Sequence, residues 1–151
     1  MFGFTIRLTK TRLSVILAVV LIPFLIFSSV YIYKISNEKD TSLNAKTTAQ
    51  RVSFLKKHGF VAEENSETKK IVTIPAEFDN VYLSYNAIQK AMGFDLADFK
   101  GEKVDLYSLK ITNYPKDSKN VYATILVKEG KIIGGDIHST ELNGFMHGFK
   151  M

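Results

Sequence analysis

The chain has no cysteine among its 151 residues. That excludes a disulfide framework, a thiolate metal site, an iron–sulfur cluster and a cysteine nucleophile. The three prolines and nine glycines form no low-complexity tract, and no internal repeat is evident. Phosphate-loop and dinucleotide fingerprints are missing: Gly134-Gly135 is followed neither by Gly-x-Gly-x-x-Gly spacing nor by Gly-Lys-Ser/Thr. A glycine pair inside a strand points instead to a bulge or a close backbone approach. No Gly-x-Ser-x-Gly elbow supports a triad that could be assembled on paper from Ser139, His147 and an aspartate. Any excess of charge is small. The net +5 divides into +3 over residues 1–40, five basic against two acidic, and +2 over the other 111, fifteen against thirteen. The basic pI of about 9.3 thus owes much to the N-terminal segment, and no nucleic-acid partner is expected.

The charged fraction of 23% is near the globular average and rules out a wholly disordered chain, while the length allows one domain plus an appendage. The appendage is residues 13–33, Leu13 to Tyr33, 21 residues without a charge. As a helix this run would be roughly 31 Å long at about 1.5 Å per residue, against a hydrocarbon core of roughly 30 Å. Pro23 lies within it, and Tyr31 and Tyr33 stand at its far end where amphipathic rings favour headgroups. Arg7, Lys10 and Arg12 precede the run; Lys34 and Lys39 follow it. Three against two places the N-terminus in the cytoplasm and the rest outside. A cleaved signal peptide is the rival, but the apolar run exceeds the usual 7–15 residues and no Ala-x-Ala site follows. The expected organisation is therefore a cytoplasmic tail at 1–12, a transmembrane helix at 13–33, a juxtamembrane stalk and helix start at 34–48, and an extracytoplasmic α+β domain at 49–151. The predicted location is the cell membrane, in a single pass.

Within that domain the pattern predicts a helix from near Ser42 to Lys57, stopped by Gly59. Strands are expected at Phe60–Ala62 and Ile71–Pro75, joined by the charged turn 63–70. A second helix is read from Val81, Tyr85, Ile88 and Met92, one apolar stripe with Asp79 as N-cap and Gly93 as terminator. Three strands follow: 103–112 with Tyr107, Leu109 and Ile111 on one face, 121–128 with Val121, Ala123, Ile125 and Val127 on one face, and 131–138 after a Glu129-Gly130 hairpin. Short turns make the sheet antiparallel. With both helices on one of its faces, the expected fold is a two-layer α+β domain behind a transmembrane helix.

Functional signal concentrates in the last third. At period two, Asp136 and His138 share a sheet face, and Glu141 and His147 could fold back towards them. Carboxylate and imidazole together suit zinc or manganese, so a metal-binding sensor or metal-dependent hydrolase is one reading. Hydrogen-bonded polar residues at a strand end is the plainer one. Tyr82, Tyr85, Tyr107, Tyr114 and Tyr122, with Phe145, could floor a peptide or glycan groove; Tyr107, Tyr122 and Phe145 are the candidate binding residues. A row of lysines around the sheet could meet anionic wall polymer. A third role is self-assembly through an exposed sheet edge.

Phe54-Leu-Lys-Lys-His-Gly-Phe60, Val72-Thr-Ile-Pro-Ala-Glu-Phe-Asp79, Tyr85-Asn through Gly93-Phe-Asp-Leu96, Tyr114-Pro115 and Gly134-Gly-Asp-Ile137 with Gly144-Phe-Met-His-Gly148 resemble a family of bacterial domains of unknown function. The resemblance covers roughly residues 50–150. It implies a low-GC Gram-positive source and a single N-terminal membrane helix, and it carries no activity. With no catalytic motif and no cofactor signature, the expected role is binding a protein or cell-envelope partner, not catalysis.

Overall fold

The computed structural model describes residues 21–34, 43–114 and 120–150. It divides into two compact units, Met1–Thr41 and Ser42–Met151. In the first, residues 21–34 form a helix, α1. The remainder of the expected span, 13–20, lies outside the described residues, as do the expected tail 1–12 and residues 35–42 of the expected stalk. Along α1 the large apolar side chains face outwards, Phe24 at 67% and Phe27 at 73% exposure. The hydroxyls of Ser28 and Ser29 both donate to the Leu25 carbonyl, at 2.9 and 2.8 Å. Among the described residues, no helix is long and apolar enough to cross a membrane.

The second unit is an α+β domain. Helix α2 is Thr48–Lys57 and helix α3 is Asn80–Ala91; the strands are β1 (Thr68–Thr73), β2 (Lys103–Lys110), β3 (Val121–Lys128), β4 (Lys131–Ser139) and β5 (Met146–His147). Neighbours follow chain order, β1-β2-β3-β4-β5, and each pair is antiparallel. The β3–β4 hairpin turns through Glu129 and Gly130, both at positive φ (51° and 78°), the two-residue geometry whose twist matches the flanking strands. A register shift at Leu126/Val127 places a bulge in β4 just ahead of Gly134.

Helix α2 starts later than expected. Its cap is Thr47, in a reciprocal capping box with Gln50. Residues 43–45 are held by the hairpin instead, through Ala45 N–H to Gly130 O (2.8 Å) and Ile132 N–H to Leu43 O (2.8 Å). The end of the expected stalk is therefore part of the domain.

Two further expectations are corrected. Phe60–Ala62 is not a strand, because only Ala62 bridges, to Ile111. Glu63 N–H then bonds Lys110 O, a 3-10 turn at Glu64–Ser66 intervenes, and β1 continues along the same edge of β2 from Thr68. Nor do the helices share one face. Val121, Ala123, Ile125 and Val127 of β3 pack with Phe54 and Leu55 of α2, whereas Leu126 packs with Ile74, Val104, Tyr82 and Tyr85 on the other side. Both faces of the central strand are apolar, so both are covered. Helix α2 lies on one face, and α3 leans over the opposite one. The expected layer count becomes three.

The buried side of α3 is also offset from its apolar stripe. Val81 is 78% exposed, while Asn86 and Gln89 are buried. The cap at Asp79 is as expected, accepting from Tyr82 N–H at 2.8 Å.

Candidate functional site

On the α3 face the sheet is only partly covered. Between α3 and the strands lies a cleft of about 300 Å³, at the small end of ligand sites. Its apolar walls come from Val72, Ile74, Leu106, Leu126 and Met146, with Tyr82 and Tyr85 of α3 over them. Thr124, Asp136 and His138 form the polar end. Register explains their convergence. Thr124 stands opposite Asp136, and Tyr122 opposite His138, so all four side chains share a face.

Asp136 is the centre of this group. Only 3% exposed, it accepts from the Tyr85 hydroxyl at 2.9 Å through Oδ2 and contacts His138 Nδ1 at 2.7 Å through Oδ1. Burial, joined by the Asp136 charge beside it, pushes the Tyr85 phenol far above its ordinary range, so it remains a protonated donor. Burial raises Tyr82 as well. A carboxylate on Nδ1 fixes the neutral imidazole with its proton there and turns Nε2 into an acceptor or base. The Tyr122 ring stacks on His138 at 6.2 Å, which holds the imidazole plane.

The other sequence candidates lie elsewhere. His147 pairs opposite Ile137, which packs on the α2 face, so its ring points away from Asp136. There its Nε2 meets the Tyr114 hydroxyl at 2.9 Å, and Phe145 stacks on both Tyr114 (4.6 Å) and His147 (5.4 Å). Glu141 is exposed in the turn after β4, its backbone N–H on Ser139 Oγ. The expected ligand set of Asp136, His138, Glu141 and His147 is thus split by the sheet. Among the described residues, no group of three or more histidines or carboxylates could hold a metal ion. Nor do the aromatic candidates form one surface. Of the three candidate binding residues, Tyr107 lies under the Arg51 guanidinium at 3.6 Å, Phe145 sits with Tyr114, and Tyr122 shares the face of the cleft, which Tyr82 and Tyr85 line. Asp136 and His138 were legible from period two. Thr124 was missed, although its place opposite Asp136 follows once the hairpin register is known. Tyr85 was named only as a possible groove aromatic, and its link to Asp136 spans 51 positions.

The model of a family described as a domain of unknown function (DUF4830) matches residues 54–137, more than half of the chain. The match includes α3, Tyr85, Thr124 and Asp136 and ends just before His138. No curated protein and no solved structure matches the chain.

Proposed function

The chain belongs to the DUF4830 family, and from its fold and cleft we propose a single-pass membrane-anchored domain that acts by binding a small ligand between α3 and the sheet. The anchor reading is supported by the uncharged run 13–33, by the outward-facing apolar side chains of α1, and by the Ser28 and Ser29 hydroxyls. Bonded to Leu25 O, those hydroxyls have a partner where lipid offers none. The lysine and arginine count, three before the run against two after it, supports an N-terminus in the cytoplasm and a domain outside. Because the chain has no cysteine, topology can be read with single introduced thiols. Thr5→Cys should resist a membrane-impermeant maleimide in intact cells, and Lys103→Cys should react. The reverse pattern would overturn the orientation; equal labelling of both would overturn the anchor.

The observation that carries the binding role is an apolar cleft ending in a buried Tyr85–Asp136–His138 chain of hydrogen bonds. Apolar walls give affinity, and a few converging polar groups give orientation. Binding is favoured over catalysis because no serine, threonine or lysine nucleophile is hydrogen-bonded to His138 among the described residues. Hexanol, as a neutral probe, should shift the side-chain methyl resonances of Leu106, Leu126 and Met146 in the full chain held in lipid nanodiscs. Leu126→Trp fills the cleft and should abolish the shifts of the Leu106 and Met146 methyls. Methyl signals that ignore hexanol in the wild-type protein would end this reading.

A further inference from the structure

We propose that the cleft is a site for a free primary amine, an ammonium group carried on a short apolar stem; this rests on the binding role above and names its ligand class. The charges decide it. Asp136 is the one residue lining the cleft that carries a formal charge at neutral pH with the imidazole neutral, and no lysine or arginine lines it. Lys70 and Lys110, on the same sheet face by register, are exposed and stand outside the lining. A carboxylate at 3% exposure normally has a cationic partner, since an unpaired buried charge is expensive. Among the described residues Asp136 has no lysine or arginine partner; a phenol and an imidazole hold its oxygens. Its ion partner is His138, charged only when protonated, so with the imidazole neutral the carboxylate is open to a cation.

The acceptors match an ammonium in number. Asp136, the outward Nε2 of His138 and the Thr124 hydroxyl are three acceptors on adjacent strands, and an ammonium carries three donors. With Nδ1 turned to Asp136, Nε2 is the ring nitrogen left for a ligand, and in the neutral form of the ring its lone pair suits a donor and repels a carboxylate. The Tyr82 and Tyr85 rings at the wall add the aromatic faces to which cations are drawn. Leu106, Leu126 and Met146 then take the stem.

The test uses the full chain in lipid nanodiscs and three probes of equal chain length: hexylammonium, hexanol and hexanoate. Shifts of the Leu106, Leu126 and Met146 methyls and of the His138 ring signals report site occupancy free of bilayer partitioning. Hexylammonium should bind about tenfold more tightly than hexanol, the usual gain of a charged over a neutral hydrogen bond. Hexanoate should bind most weakly. Asp136→Asn, which keeps shape and an acceptor for Tyr85, should remove the preference for the ammonium while leaving hexanol binding in place. His138→Gln should reduce that preference, and it serves if the first variant fails to fold. Equal binding of the three probes, or tightest binding of hexanoate, would overturn the amine and leave the cleft standing. Silence from all three would overturn both. Tighter binding of Nα-acetyl-lysine methylamide than of hexylammonium would overturn the free-amine assignment by moving the ammonium onto a peptide.

Discussion

Replacing Gln89 with alanine should cost the domain about 2–6 kcal/mol, although the residue is uncharged and its hydrogen bonds go to backbone groups. Strand β5 is only two residues long and pairs with Ile137 and His138, so among the described residues the outer edge of β4, opposite β3, has no strand at Gly135. Gln89 of α3 takes the place of that missing neighbour. Its Nε2 donates to Gly135 O at 3.0 Å, and Gly135 N–H donates to its Oε1 at 2.8 Å. The primary amide thus copies the two-bond pairing of a sheet ladder at full burial, 0% exposure. Each buried backbone group left without a partner costs about 1–3 kcal/mol, and two are lost together. The site also forbids a side chain at Gly135. Its φ is 151°, and a Cβ would lie 2.1 Å from Thr124 O. Urea unfolding of the full chain followed by circular dichroism measures the loss, and hydrogen exchange at the Gly135 amide locates it. Gln89→Glu keeps the shape but removes the donor, so it should also destabilise. A Gln89→Ala cost below about 0.5 kcal/mol, the range of an ordinary surface change, would show that the pairing contributes little.

The same contact shows why α3 was only half legible. Periodicity finds the apolar side of a helix, here Val81, Tyr85, Ile88 and Met92. The side turned inward is built on Tyr85, Asn86 and Gln89, because two amides have backbone groups to satisfy, Leu96 N–H at 2.8 Å from Asn86 and both groups of Gly135 from Gln89. Strand β1 was misplaced for a related reason. Thr68 to Ile71 are exposed, so no alternation marks them, and only the ladder to β2 makes them a strand. Strands β2 to β4 were legible from their apolar β-formers between turn residues, and Leu109, Ala123, Ile125 and Ile137 are all at 0% exposure, although β3 and β4 are buried on both faces. Alternation says which residues share a face of one strand. It does not say which faces of different strands coincide, and that is where the four-residue metal set failed. His147 lies one strand from His138, but on the other side of the sheet.

Arg51→Met should destabilise the domain by about 3–5 kcal/mol, the usual cost of breaking a buried ion pair from one side. Arg51 is 3% exposed. It grips Glu67 with a two-pronged contact, Nε to Oε2 at 2.8 Å and Nη2 to Oε1 at 2.5 Å, while Nη1 donates to Ala45 O at 2.6 Å. Its planar face stacks on Tyr107 with Cζ 3.6 Å from the ring centroid. One side chain therefore joins the entry segment, α2, the start of β1 and β2. Arg51→Lys keeps the charge but not the planar fork or the stack, so it should recover only part of the loss. The double change Arg51→Met with Glu67→Leu should recover most of it, because no charge is then buried alone. The pair also sets a pH dependence. Burial by itself would raise the Glu67 pKa, but the hydrogen bonds from Arg51 and Thr48 and the Arg51 charge outweigh it and bring it below the ordinary 4.5. A carboxyl whose folded value lies below its unfolded value stabilises fully above the unfolded value and loses that stabilisation as the pH falls through the folded one. Wild-type stability should thus fall as the pH drops below about 4.5, and the Glu67→Gln variant, less stable at pH 7, should show a shallower fall over the same window. Parallel pH profiles for the two proteins would mean that Glu67 titrates alike folded and unfolded, and that Arg51 holds this corner through packing on Tyr107 instead of through charge.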